Sequence, residues 1–442
     1  MKKLRGIGAA ALAAVALSLL LCSPASAAEK AIWGPTELPG GGSAFPTYRD
    51  LGVDTYQMAL DMSEVSSTRP ANPSDPADPA YQWPAGIDRA IREATASGIR
   101  VSLLATKTPP WANGGQSPIH APDPADFAAM MSAAAKRYPY VKRWQIWGEP
   151  NRDDRFLPNT ENGAAGPRAY APILEASYQA LKRVSPKNIV IGGMTWTGGT
   201  VKPADFLRYM RLANGKPPRL DWFGHNPFPF RFPNLAELPI SGGWRDVSDL
   251  DTFGQELRAV YGKRAKFWLS EFLVPSDKNS REFMNQVSRG EQARWLAAAF
   301  RIADDLPQVA GIGWLGLLDE PEAPGSANYG LLAASGARKP AYDAFRDAAG
   351  VRYRPAVRAP KRVRAAGVKA GRLRVKVGPK LSGRVRLELY RKNRRVAKGS
   401  RQLNVGRAAY VRLRYRRAKR GRYELVIRAP RGETVRRPVR FR

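Results

Sequence analysis

Two glutamates, 122 residues apart, each close an apolar strand-like run set among tryptophans. Glu149 ends Arg143-Trp144-Gln145-Ile146-Trp147-Gly148-Glu149, and Glu271 ends Lys266-Phe267-Trp268-Leu269-Ser270-Glu271. A carboxylate in such a place does little for a core, because burial penalises the ionised form and raises the pKa. That shift is what a general acid needs near neutral pH. Two carboxyls facing one sugar suit the cleavage of a glycosidic bond. The competing explanation is that each glutamate only caps or ion-pairs a strand end. Their pairing and shared aromatic setting favour chemistry, since perturbed carboxylates cluster at active sites.

The elements that must carry these residues follow from periodicity. Eight apolar runs are read as strands: Ala31 to Gly34, Val53 to Leu60, Ile99 to Ala105, Val141 to Trp147, Ile189 to Gly193, Leu220 to Phe223, Phe267 to Ser270 and Gly311 to Leu317. Between them lie amphipathic stretches such as Gly86 to Ala96, Pro124 to Arg137, Tyr170 to Val184, Val247 to Tyr261 and Glu291 to Leu306, with apolar residues at helical spacing. Parallel strands need crossover helices, so this alternation predicts a (β/α)8 barrel. An open doubly wound sheet fits less well, because the candidate chemistry sits at the ends of widely separated strands. Barrels gather catalytic groups in that way at the C-terminal face. Two long loops, Ser63 to Trp83 and Pro227 to Trp244, belong to the same end, either as cleft walls or as packed coverings.

From about Arg352 the pattern becomes period two. Leu373 to Val377, Val385 to Leu389, Val411 to Tyr415 and Tyr423 to Ile427 alternate apolar residues with arginines and other polar groups. This predicts half-buried antiparallel strands in a small Ig-like β-sandwich. Residues 351–442 hold 33 Lys+Arg against 3 Asp+Glu, whereas residues 1–350 hold 39 against 35. Two domains with different surfaces are therefore expected: a barrel over 28–351, a linker over 352–364 and a basic sandwich over 365–442. Residues 1–27 read as a secretory signal, with Lys2, Lys3 and Arg5 before an apolar run and Ala25-Ser26-Ala27 as the cleavage site. The only cysteine, Cys22, falls inside this leader. Lipoprotein anchoring there competes with free secretion, which Leu21 favours by filling a position where small residues are usual.

Two histidines and no cysteine cluster offer little for a metal, and no glycine-rich phosphate loop follows a strand, so no cofactor is expected. Aromatic faces suit sugar rings. Trp33, Trp111, Trp147, Trp196 and Trp314 fall near expected strand ends, each with packing as the alternative role. Asn113 could add an amide beside Trp111.

The segment Trp147-Gly148-Glu149-Pro150-Asn151 after the fourth run and Ser270-Glu271 after the seventh resemble the acid/base and nucleophile segments of clan A glycoside hydrolases, most closely family 39 and its relatives. The resemblance covers about residues 30–350. Gly224-His225-Asn226-Pro227 follows the sixth run, Trp314 lies on the eighth, and Tyr329-Gly330-Leu331-Leu332 through Lys339-Pro340-Ala341-Tyr342 is similar to the clan's closing loop and last helix. The resemblance implies a retaining glycosidase with Glu149 as acid/base, Glu271 as nucleophile, His225 near the nucleophile and Trp314 as a floor under the sugar. The clan usually has asparagine where this chain has Gly148. Asn151 and Asn226 are the candidate substitutes for its contact to the sugar.

The expected partner is a polysaccharide or oligosaccharide, with anionic cell-surface polymers on the basic domain. Solubility and edge protection are an alternative use for its arginines. A barrel that binds glycan without cleaving it, as adhesin or matrix component, is the rival to the enzyme.

Overall fold

The computed structural model describes residues 28–348, apart from 162, 279–282 and 284, together with strands lying between 357 and 441. The expected leader, with Cys22, lies outside the described residues. Eight parallel strands close into a barrel: β1 (Glu29–Trp33), β2 (Thr55–Asp61), β3 (Arg100–Thr106), β4 (Arg143–Ile146), β5 (Ile189–Trp196), β6 (Trp222–Asn226), β7 (Phe267–Phe272) and β8 (Val309–Leu315). The barrel closes where Ala31 of β1 pairs with Gly313 of β8. The strands are largely apolar because helices bury their outer faces. Helix Ala85–Ala96 shows how: Ile87, Ala90, Ile91 and Ala94 form one buried stripe. Helix Arg289–Asp305 buries Trp295, Leu296, Ala299 and Phe300, and Ser288 caps it by accepting the Glu291 N–H.

Inside the barrel a polar layer lies below the mouth. Gln57 Oε1 accepts from Gln145 Nε2 at 2.9 Å, Trp268 Nε1 at 3.0 Å and Ser270 Oγ at 3.1 Å. Gln57 Nε2 donates back to the Ser270 carbonyl at 2.8 Å. The backbone immediately before Glu271 is thus held from within. Register shifts between Gly192 and Thr195 in β5, and between Leu269 and Phe272 in β7, re-aim the strand ends at the mouth.

The basic module is all β, with an apolar core of its own that includes Val375, Leu387, Val411, Leu425 and Phe441. Its main strands are β11 (Arg372–Pro379), β12 (Gly383–Arg391), β13 (Arg394–Leu403), β14 (Ala409–Arg414), β15 (Gly421–Arg428) and β16 (Thr434–Phe441). They form antiparallel groups β16-β15-β12-β13 and β14-β11, joined through one residue pair, Lys398 with Arg414. Within the segment expected as linker, β9 (Val357–Arg358) pairs with β11 and β10 (Val363–Arg364) with β16. Strands β13 and β16 carry no clean alternation: β13 exposes most of its residues, and Pro438 interrupts β16 opposite Glu424.

Gly193 tests the barrel directly. It sits at φ 94°, and a Cβ there would stand 2.6 Å from the Phe223 ring. Gly193→Ala should destabilise the barrel by about 2–3 kcal/mol. All eleven tryptophans lie in the barrel, so a lower urea midpoint in tryptophan fluorescence reports it cleanly, and an unchanged midpoint would contradict the strain.

Candidate active site

Glu149 and Glu271 meet at the C-terminal mouth, and Asn226 joins them. Asn226, at the end of β6, is buried and donates Nδ2 to Glu149 Oε1 at 3.0 Å. The same amide hydrogen-bonds Glu271. Strand β4 stops at Ile146, and the chain then turns sharply. Trp147 has φ 65° and Glu149 φ 50°, conformations that cost non-glycine residues. Two backbone bonds fix the turn: Trp147 N–H to Ala105 O at 2.8 Å and Glu149 N–H to Met194 O at 3.0 Å. Glu271 lies within β7, which runs on to Phe272, so it is set by strand geometry, whereas Glu149 is set by a strained turn.

The two carboxyls are not equivalent. Glu149 accepts Asn226 on Oε1 and Arg152 Nη1 on Oε2 at 2.8 Å, so both oxygens already take donors. Arg152 is also held by Asp154, Nε to Oδ1 at 2.8 Å and Nη2 to Oδ2 at 2.6 Å, and its guanidinium lies 5.2 Å from the Trp196 ring centroid. Glu271 keeps a little contact with solvent but sits at the bottom of the mouth. Burial, and then the neighbouring Glu149 charge, push its pKa well above the carboxylate range, while Arg155, Arg152 and Asn226 pull it back. A buried pair this close carries one negative charge comfortably and two at a penalty. Glu271 is the member of the pair that burial and its neighbour push toward the protonated form.

The other expected site residues divide. Trp33 and Trp196 are half-buried at the ends of β1 and β5; Trp33 donates Nε1 to Ser270 O at 3.1 Å. Trp111, also half-buried, donates to Ser66 O and lies under Arg69. Trp147 is instead buried in the core, donating to Arg155 O and packing edge-on against Phe156. Trp314, expected as the sugar floor, is fully buried as well: its Nε1 donates to Tyr329 O at 3.0 Å, and Phe272 packs beside it.

His225 does not serve Glu271. Its Nδ1 lies 2.9 Å from Thr195 Oγ1 and 2.8 Å from Thr195 O, and its Nε2 lies 2.9 Å from Arg245 O. Burial pushes its pKa down to about 4, so the ring is a neutral brace between β5 and the loop after β6. Asn151 is spent too. Its amide donates to Trp196 O, Gly198 O and Val201 O and accepts from Trp196 N. Asn113 donates to Gln116 O and Ser117 O and closes a turn. None of these three is a free sugar donor.

Arg152 is the site residue that sequence reasoning missed. Its place three residues after Glu149 was the available signal. At Gly148 a Cβ would meet Leu104 Cδ2 at 3.2 Å, so a leucine occupies the space toward which a larger side chain would grow. The long loops pack on themselves: Tyr81 stacks on Trp83, and Phe230 meets Trp244 edge-on. An apolar cavity of about 330 Å³ beside Phe232, Leu235 and Ile302 shares no residue with the mouth. Among the described residues, no group of His, Cys, Asp and Glu could hold a metal ion, and no helix is long and apolar enough to cross a membrane.

No family model matches the chain, and no curated protein matches its sequence. Solved structures do share its fold. A family 39 glycoside hydrolase from Bacteroides cellulosilyticus WH2 aligns at TM-score 0.53 and 15% identity, over 88% of this chain and 81% of that one. A monomeric β-xylosidase from Caulobacter crescentus CB15 aligns at TM-score 0.50 and 14% identity, over 88% and 96%. A GH5_18 protein from Streptomyces cattleya, solved with GlcNAc, aligns at TM-score 0.50 and 15% identity, over 78% and 86%. The barrel with its β module is the fold of family 39 structures, in agreement with the resemblance carried by the sequence. At these identities the likeness is one of fold.

The raised pKa of Glu271 has a thermodynamic signature. A carboxyl whose pKa is higher folded than unfolded stabilises the fold below the unfolded value and loses that contribution as pH rises through the folded value. Glu271→Gln removes the carboxyl that the fold holds protonated against its usual ionisation. The variant should gain on wild type by on the order of 1–2 kcal/mol between about pH 5 and pH 9. Paired thermal melts across that range measure the gap, and a gap independent of pH would contradict the placement of the proton.

Proposed function

We propose that this protein is a retaining glycoside hydrolase acting on β-linked polysaccharide or oligosaccharide, with Glu149 as acid/base and Glu271 as nucleophile. The observation that carries the reading is the pair of carboxyls at the ends of β4 and β7 sharing the Asn226 amide. A strand-end carboxyl on each side of one mouth is the arrangement that double displacement uses.

Catalysis works against the form that burial favours at Glu271. Glu271 must be ionised to attack the anomeric carbon, while Glu149 must carry the proton that it gives to the leaving oxygen. One proton moved within the pair makes the exchange. Positive charge developing on the sugar favours ionised Glu271. Arg152 must release Glu149 Oε2 for that oxygen to hold the proton. After the glycosyl–enzyme forms, ionised Glu149 takes a proton from water, and the water breaks the ester. Asn226 Oδ1 is buried without a protein hydrogen bond. A small shift of the side chain would bring it to a sugar hydroxyl, in place of the asparagine that Gly148 lacks. Trp33 and Trp196 offer faces for ring stacking. We further propose export through the leader and tethering to anionic cell-surface polymers through the basic module.

Arg152 on Glu149 and Leu104 against Gly148 favour a second reading, a barrel that binds glycan without cleaving it. One assay separates the two: product release from a panel of polysaccharides and aryl β-glycosides. Wild type should cleave a member of the panel, and Glu271→Gln should not. Glu149→Gln should lose about 10²–10⁴-fold on poor leaving groups and far less on activated aryl ones. Glycan binding with no cleavage by any folded variant would establish the second reading.

The pH profile tests the roles. The acid limb of kcat/KM should lie well above the ordinary carboxylate range, because Glu271 must ionise. Arg152→Gln should move the acid limb further upward, since Arg152 favours the ionised form of Glu271. An unmoved profile would make the arginine merely structural.

A further inference from the structure

We propose that the outward face of β11 and β14 is a binding track for a linear acidic polysaccharide. This deepens the tethering reading above and rests on it. On this face Arg374 stands directly opposite Arg412, Lys376 opposite Tyr410, and Lys398 of β13 opposite Arg414. All six side chains are exposed, and Leu373, Val375, Val377, Val411 and Leu413 point inward between them. Like charges set directly across a strand pair destabilise it. Like cations also face each other on β12, β15 and β16, Arg386 opposite Arg428 and Arg422 opposite Arg440, but acids stand among the arginines there. On β12 Glu388 pairs with Arg395 and Arg428, and on β15 Glu424 pairs with Arg436. Strands β11, β13 and β14 contain no Asp or Glu at all. The repulsion on this face is left for a ligand to relieve.

The chemistry of that ligand follows from the groups. Guanidinium forks match carboxylates in bidentate geometry. Successive outward residues repeat every ~6.6–6.8 Å along a strand, and neighbouring strands lie ~4.8 Å apart, so the cations form two parallel rows suited to a chain with regular charges. Nucleic acid fits less well. Single strands are held on open aromatic platforms, and Tyr410, the one exposed ring on this face, lies under the Arg374 guanidinium at 4.7 Å. A carboxylate-bearing polysaccharide needs no such platform.

The test uses the full-length protein on immobilised polygalacturonate, its methyl ester and duplex DNA. Wild type should bind polygalacturonate and ignore the neutral ester. The triple variant Arg374→Gln/Arg412→Gln/Arg414→Gln should weaken binding by about tenfold or more. A control triple on outward positions of β12 and β15, Arg384→Gln/Arg386→Gln/Arg422→Gln, should weaken it less than about threefold. Both should melt like wild type. Equal losses from the two triples would show diffuse attraction and overturn the track while keeping the tether. Tighter binding to DNA would overturn the polysaccharide assignment. No binding to any polymer would overturn track and tether together. Glycan cleavage, scored separately with Glu271→Gln, stands or falls independently of all these outcomes.

Discussion

Two carboxyl groups held side by side in a protein mouth repel each other, and most of the barrel's upper end is arranged around that repulsion. Burial and the neighbouring Glu149 push Glu271 toward its protonated form. Asn226 and Arg152 donate to Glu149, and the polar layer under Ser270 fixes the strand that presents Glu271. Double displacement needs one proton and one charge in such a pair, and it needs them movable. A pair fully neutralised by cations would have no proton to give, and a pair fully protonated would have no nucleophile.

Backbone strain falls where this arrangement demands it. Lys107 at the end of β3, Trp147 and Glu149 after β4, and Met194 in β5 all have positive φ. They lie on three neighbouring strands at one rim. Single residues in that region persist only when their surroundings fix them, and such residues gather at functional sites. Here the bonds of Trp147 to β3 and of Glu149 to β5 impose the turn that swings Glu149 over the mouth. His225 and Asn151, which sequence reasoning had placed near substrate, instead hold β5 and its neighbours in register. The residues that touch nothing reactive are what keep Glu149 in place.

The barrel was legible because its strands are continuous apolar runs and its helices show single buried stripes, signals that depend on local spacing alone. Strand β13 escaped because most of its residues are exposed, and β16 because Arg437 stands where the alternation calls for an apolar residue. Glu149 and Glu271 were legible as buried charges at strand ends. The roles of the tryptophans were not, since depth at a strand end is decided by loops. The Tyr329 loop seals Trp314, and the turn after β4 folds Trp147 into the core. The partners of His225 and Trp33 lie 30 and 237 residues away, at Thr195 and Ser270. No local pattern records them.

In the proposed mechanism Asn226 supplies a polar contact that Gly148 cannot make. With Leu104 against position 148, no side-chain amide can grow from the β4 turn without displacing a core leucine. The polar contact that such an amide makes must come from elsewhere, and the β6 end is the place from which one side chain reaches both glutamates. Moving the amide there changes its duty. A donor beside the acid/base residue alone would stabilise substrate without sensing the nucleophile. Asn226 favours charge on the carboxyl that it holds more closely, so in the proposed mechanism it would link sugar recognition to the position of the proton. The missing asparagine therefore does not leave the mouth without a polar anchor; it moves that anchor to the strand where the two carboxyls meet.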